Sequence, residues 1–387
     1  MIRHGSTLLS NADIVELIDF RHVLHRLPEI SGEEQETARR IVRFLQATKP
    51  DRIITELGGH GVAAIFESGK PGPTVMFRCE LDALPIQEIS EAKYRSEIPG
   101  KGHLCGHDGH MTILTALARA LHRAPPMHGR AVLLFQPAEE NGAGAAAVIA
   151  DPKFAEIQPD YAFALHNMPG LPLGFATLSV GAANCASRGM RIALTGKTSH
   201  ASVPEAGRSP MHAVADLMPA LTALGTGGTL DENYRLVTVT HAKMGEPAFG
   251  IAPGYAEVWA TLRTLRDEKM DAMCTEAEAI ARNNAAQSGL GIEISYHDVF
   301  HHCDNNAEAV EPLRHAFDQE GVAHGESDPM RGSEDFGLFG RSAKAAMFLL
   351  GSGETTPQLH NPDFDFPDAL IEPGARIFMR VVRNLLG

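Results

Sequence analysis

The 387-residue chain is 44% apolar and 21% charged, which excludes a disordered protein and allows two or three domains with sizeable cores. Its 34 basic and 48 acidic side chains leave a net charge of −14, a field that repels phosphate backbones and anionic lipid, so neither nucleic acid nor a membrane is an expected partner. Five scattered cysteines, no run of 18 apolar residues and no apolar core of an export signal at the start predict a cytoplasmic protein without a disulfide framework.

In chain order, Asn11 is placed to cap a helix carrying Ile14, Leu17, Ile18 and Leu24. Ser31 and Glu34 have capping-box spacing ahead of a second helix with Ala38, Ile41, Val42 and Leu45. Short apolar runs at 62–66, 75–79, 131–135 and 161–165 follow, interleaved with helical patterns such as Ile113, Leu114, Leu117 and Leu121. That alternation predicts an α/β fold with substantial parallel pairing. From residue 187 the texture becomes strand, helix (209–224), strands 235–242 and 256–265, helix (267–288) and strand 292–299, the βαββαβ order of a ferredoxin-like unit. A buried strand at 345–350 and a last helix with Ile377, Phe378, Val381, Val382 and Leu385 return to the first texture. The expected organisation is therefore a catalytic domain over 1–186 and 300–387, interrupted by an inserted domain over 187–299.

Three of the strand-like runs lead into polar clusters that a buried strand does not need: Glu80-Leu81-Asp82, Gln136-Pro137-Ala138-Glu139-Glu140 and His166-Asn167. In open α/β sheets, sites gather at the carboxyl ends of strands. A Gly-flanked loop ahead of a helix adds Cys105 and His107. Singly, each has an ordinary explanation, such as a solvated turn for the paired glutamates or a hydrogen-bonded loop histidine for His166. Together, thiolate, imidazole and carboxylate suit a divalent transition ion such as zinc, manganese, cobalt or nickel, and not calcium or magnesium.

The stretch 77–86, Cys105-Gly106-His107-Asp108-Gly109-His110, Phe135 to Glu140, His166-Asn167-Met168-Pro169, Gly332-Ser333-Glu334-Asp335-Phe336 and Leu359-His360-Asn361-Pro362 occur in an order that resembles the M20 metallopeptidase family. The nearest branch is that of hippurate hydrolases, indole-acetyl-amino-acid hydrolases, aminoacylases and N-acetyl-diaminopimelate deacetylases. The resemblance implies a metallo-exopeptidase-like catalytic domain with an inserted lid and dimerisation domain. It implies two divalent ions per subunit, manganese or zinc first and nickel or cobalt as alternatives, held by Cys105, His107, Glu140, His166 and His360. It implies Glu139 as general base, His200 as a lid histidine that reaches a neighbouring subunit of a homodimer, and Arg263 as the group that holds a substrate carboxylate. The implied substrate is a small N-acyl amino acid. Alternatives are a dipeptide or another small amide, or a metal-binding dimer without catalysis. Two positions depart from the family pattern: Glu80 stands where an aspartate is usual, and Gly250 where a substrate-contacting asparagine is usual. The first alters the geometry behind the ligands, and the second makes the family's commonest substrates harder to carry over.

Overall fold

The computed structural model describes residues 8–387; the first part of the segment read for an export signal lies outside them. The chain divides into two compact units, one formed by residues up to Ala183 with Asp304–Ser327 and Asp335–Gly387, the other by Asn184–Cys303 with Asp328–Glu334. The expected insertion of 187–299 carries no signal for the short segment Asp328–Glu334, which follows the first unit's helix Ala307–Glu320 in the chain.

In the first unit, helices α1 (Asn11–Arg26) and α2 (Gln35–Ala47) precede strands β1 (Arg52–Leu57), β2 (Gly61–Glu67) and β3 (Thr74–Glu80). Helix α3 (His107–Arg123), strand β4 (Arg130–Gln136) and strand β5 (Tyr161–Pro169) follow. The sheet has eight strands in the order β1-β2-β4-β3-β5, then Lys344–Gly353, Ala176–Thr177 and His324–Gly325. It is mixed: β3 runs parallel to β4 and β5, while β1 and β2 form an antiparallel edge. Alternate residues of one strand enter opposite cores, as the period of two requires. Val75, Phe77 and Cys79 pack with α1, α3 and helix Ile371–Leu386, and Met76 packs on the other face with Val148, Phe154 and Phe339. β3, central and buried along its whole length, holds an apolar run over 75–79 broken only by Arg78.

Three local expectations are corrected. The cap of α1 is Ser10, whose hydroxyl accepts the Asp13 N–H (3.2 Å) while the Asp13 carboxylate accepts the Ser10 N–H (2.7 Å); Asn11 is the first helical residue. Ser31 and Glu34 form no capping box, because the Ser31 hydroxyl donates to Asp82 (2.7 Å) and the Glu34 carboxylate accepts the Gly32 and Ala138 N–H groups. His166 and Asn167 do not follow β5 but lie within it, since pairing with Lys344–Gly353 carries β5 on to Pro169.

The second unit is a four-stranded antiparallel sheet. In chain order its strands are Ala186–Thr195, Arg235–Met244, Tyr255–Thr264 and Gly291–Phe300. Spatially Arg235–Met244 and Gly291–Phe300 are the edges, with Tyr255–Thr264 beside the former and Ala186–Thr195 beside the latter. Helices Met211–Thr222 and Asp267–Gln287 cover one face, burying Ile192, Leu194, Val258 and Leu262 against Leu217, Met273 and Ala277. This is the βαββαβ arrangement.

Candidate metal centre

The centre is built at one end of the first unit's sheet. Glu80 ends β3, Glu139 and Glu140 follow β4, His166 stands on β5, and Cys105 and His107 flank the residue that caps the start of α3. That residue is Gly106, with φ of 94°, and a Cβ there would fall 2.2 Å from the Asn167 side chain. Only glycine combines that backbone with that close approach. His360 arrives from the loop after Lys344–Gly353, its N–H donating to the Leu104 carbonyl (2.8 Å).

The donor atoms converge. Within each of the triads Cys105–His107–His166, Cys105–Glu140–His360 and His107–Glu139–Glu140, the candidate ligand atoms lie within 4.8 Å of one another. The imidazoles are already oriented from behind. His107 Nδ1 donates to the Asp82 carbonyl (2.8 Å) and His166 Nδ1 to the Asn167 carbonyl (2.8 Å), so each Nε2 is the nitrogen left to face inward. His166 Nε2 lies 3.5 Å from Cys105 Sγ. His107 Nε2 is buried without a hydrogen-bond partner, 3.8 Å from Glu140 and 3.9 Å from Glu139. A buried ring nitrogen left unmatched, ringed by carboxylates and a thiol, fits a cation.

The electrostatics agree. Burial pushes the His107 imidazole down, but the hydrogen bond to Asp82 and the charges of Glu80 and Glu140 outweigh it and hold its pKa up at about 10. Positive charge is thus favoured at His107 Nε2, where a proton and a metal ion would compete. Burial, followed by the Glu140 and Glu139 carboxylates, pushes the Cys105 thiol well above its usual range. His166, buried and beside His110, is pushed down to about 3 and stays neutral, as a ligand must.

A buried network stands behind the ligands, and residue patterns gave little notice of it. Arg78 reaches Glu80, Asp335 (2.6 Å) and the Gln136 side chain (2.9 Å). Glu80 accepts in turn from His110 Nδ1 (2.7 Å), whose Nε2 meets Asn167 (2.6 Å). An arginine inside an apolar strand was the one available signal, since a buried cation demands carboxylate partners. Asp82 braces both metal-facing elements: its backbone carbonyl holds His107, and its carboxylate accepts the Glu140 N–H (2.9 Å) and the Ser31 hydroxyl.

His200, Gly250 and Arg263 belong to the second unit. His200 pairs with Ile251 in a short exposed ribbon; its Nδ1 accepts from the Ser202 N–H (3.1 Å) and hydroxyl (2.7 Å), which leaves the proton on Nε2. The Gly250 carbonyl accepts the Ala201 N–H (3.0 Å), its φ is outside the left-handed region, and a Cβ there would meet nothing within 4 Å. Arg263 donates to two uncharged acceptors, the Arg331 carbonyl (3.0 Å) and the Ser333 hydroxyl (2.8 Å), and burial pulls its pKa down.

Fold and site together define a metal-dependent hydrolase of the α/β class. The sequence pattern of Peptidase family M20/M25/M40 matches residues 76–384, and the chain belongs to that family. It is similar to the hippurate hydrolase of Campylobacter jejuni, 31% identical over 376 residues that cover 96% of this chain and 97% of the relative. It is 27% identical to the N-acetylcysteine deacetylase of Bacillus subtilis over 365 residues, 94% of either chain. Among solved structures, a dinuclear metal-binding M20 peptidase of Bacillus subtilis superposes with a TM-score of 0.80 at 25% identity, over 97% of this chain and 99% of that one. The chain is an M20 amidohydrolase of the hippurate hydrolase and deacetylase type.

Proposed function

We propose that the protein hydrolyses the amide bond of small N-acyl amino acids at a binuclear site held by Cys105, His107, Glu140, His166 and His360. The observation that carries this reading is the linking of those five donors through close triads that share Cys105, His107 and Glu140, with the other glutamate of the pair, Glu139, 3.9 Å from the unmatched His107 Nε2. Divalent ions there, manganese or zinc in first place, would acidify a water and polarise the amide carbonyl. Glu139, whose carboxylate reaches the cluster without being one of the five ligands, takes the proton from water and returns it to the departing nitrogen. His200 Nε2–H, from the lid of a partner in a homodimer built on the inserted domain, donates to the oxygen that gains charge in the transition state. Arg263, whose protein acceptors are uncharged, offers its guanidinium to the substrate carboxylate.

Gly250 sets the second reading. The open space around it favours a bulkier amide, a dipeptide included, in place of the commonest acyl conjugates. No helix among the described residues is long and apolar enough to cross a membrane, and the acidic composition agrees with a cytoplasmic enzyme acting on small molecules. The test is hydrolysis of a panel of N-acetyl, N-benzoyl and indole-acetyl amino acids and dipeptides by protein stripped with a chelator and reloaded separately with manganese, zinc, cobalt and nickel. Metal-dependent release of an amino acid from the acyl conjugates is expected. Turnover by metal-free protein, or by dipeptides alone, refutes the first reading.

A further inference from the structure

Glu34 is a fully buried carboxylate just ahead of α2, where a glutamate ordinarily faces water. It makes no cap bond to the helix it precedes. Its Oε1 accepts the Gly32 N–H (2.9 Å) and, across 104 residues of sequence, the Ala138 N–H (2.8 Å). Ala138 sits immediately before Glu139 and has φ of 52°, a left-handed conformation that a residue with a Cβ keeps only where its surroundings impose it. The rest of the segment is fixed as well. The Ala138 carbonyl accepts the Gly144 N–H (2.9 Å), the Glu139 carbonyl accepts the Gly142 N–H (2.8 Å), and the Glu140 N–H donates to Asp82 (2.9 Å).

We propose that Glu34 is a positioning residue for Glu139. By holding the Ala138 N–H it keeps Ala138 left-handed and so fixes the direction in which the Glu139 side chain leaves the backbone. One carboxylate oxygen is shared between the Gly32 N–H and the catalytic loop and none is given to its own helix, which explains the missing capping box. This rests on the reading of Glu139 as the base, and a misdirected base costs turnover far more than binding.

The test measures kcat, KM and bound metal with the best N-acyl amino acid of the panel. Glu34→Ala is expected to lower kcat about 30- to 100-fold with KM within about threefold and metal content unchanged. Glu34→Gln, which keeps an acceptor oxygen, should stay within about fivefold of wild type. In a Glu139→Gln background the further loss on Glu34→Ala should be under about threefold, because there is no base left to aim. Should Glu34→Ala not fold, Ala138→Val approaches the same geometry from the loop: its branched side chain resists positive φ, and kcat should fall about tenfold at constant KM. Wild-type kcat in Glu34→Ala or in Ala138→Val, or an equal loss on Glu34→Ala in both backgrounds, overturns the proposal. A fully active Glu139→Gln overturns the base assignment along with it, whereas a crippled Glu139→Gln beside a fully active Glu34→Ala overturns the positioning role alone.

Discussion

Replacing Glu80 by the aspartate usual in the family should weaken this protein, against the ordinary expectation for a return to the common residue. Glu80 is buried and bridges two partners, Arg78 and His110 Nδ1, the latter at 2.7 Å. Shortening the side chain by one carbon–carbon bond withdraws the carboxylate by about 1.5 Å, too far to keep both. One charge-assisted hydrogen bond is lost while its partner stays buried, which costs about 1.5–3 kcal/mol. For a unit of this size that is a fall in Tm of about 3–12 °C. Glu80→Gln should cost more, about 3–5 kcal/mol, because it leaves the buried Arg78 with Asp335 as its remaining charged partner in this network. Burial alone would raise the Glu80 pKa, but Arg78 and His110 outweigh it and hold the carboxyl well below its usual range. A depressed carboxylate stabilises the fold above its unfolded pKa of about 4.5 and ceases to do so as pH falls through the folded value, so the gap between wild type and Glu80→Gln should narrow in acid. Thermal unfolding followed by circular dichroism at pH 7 and pH 4 measures all three proteins. A Glu80→Asp protein within about 1 °C of wild type, or one less stable than Glu80→Gln, refutes the bridging argument.

Glu139→Gln should lower kcat about 100- to 10,000-fold with bound metal unchanged, and Glu140→Gln should lower metal occupancy itself; elemental analysis beside kinetics separates the two roles. The raised thiol of Cys105 means that a proton competes with metal, so affinity should rise with pH and binding should release protons, which calorimetry in buffers of different ionisation enthalpy detects; pH-independent affinity would exclude the thiolate as a ligand. Mixing His200→Ala with Glu139→Gln protein should restore part of the activity after subunit exchange, because one site of the mixed dimer then holds both intact groups; proven exchange without recovery rules out action in trans. Arg263→Ala should lower kcat/KM about 10- to 100-fold, and Gly250→Asn should change the ranking of substrates towards N-acetyl and N-benzoyl amino acids. With open space and an ordinary φ at Gly250, a uniform loss across the panel would deny it any part in selectivity.

Hydrophobic period and residue clusters were local properties, and they were enough for the alternation of strands and helices, the βαββαβ order of the second unit and the polar clusters at the strand ends, whereas the ligand set came through the family resemblance. Periodicity records which face of an element is apolar, and ligand chemistry restricts which residue types can serve. Partner choice is not local. Ser31 and Glu34 have the spacing of a capping box, yet both turn away from the helix, because loops brought near by the sheet offer backbone and carboxylate partners that the sequence cannot display. His166 ends inside β5 and not beyond it, because a strand's length is decided by the neighbour that pairs with it, here Lys344–Gly353. The Arg78–Glu80–His110–Asn167 network joins three separate segments, and only the folded sheet and α3 bring them together. What the sequence determined by itself was the set of elements and the kinds of atoms available to a metal. The tertiary structure alone decided which buried charges pair, which backbone N–H groups the carboxylates hold, and so where Glu139 stands, because those depend on desolvation and on contacts between residues 57 to 257 positions apart.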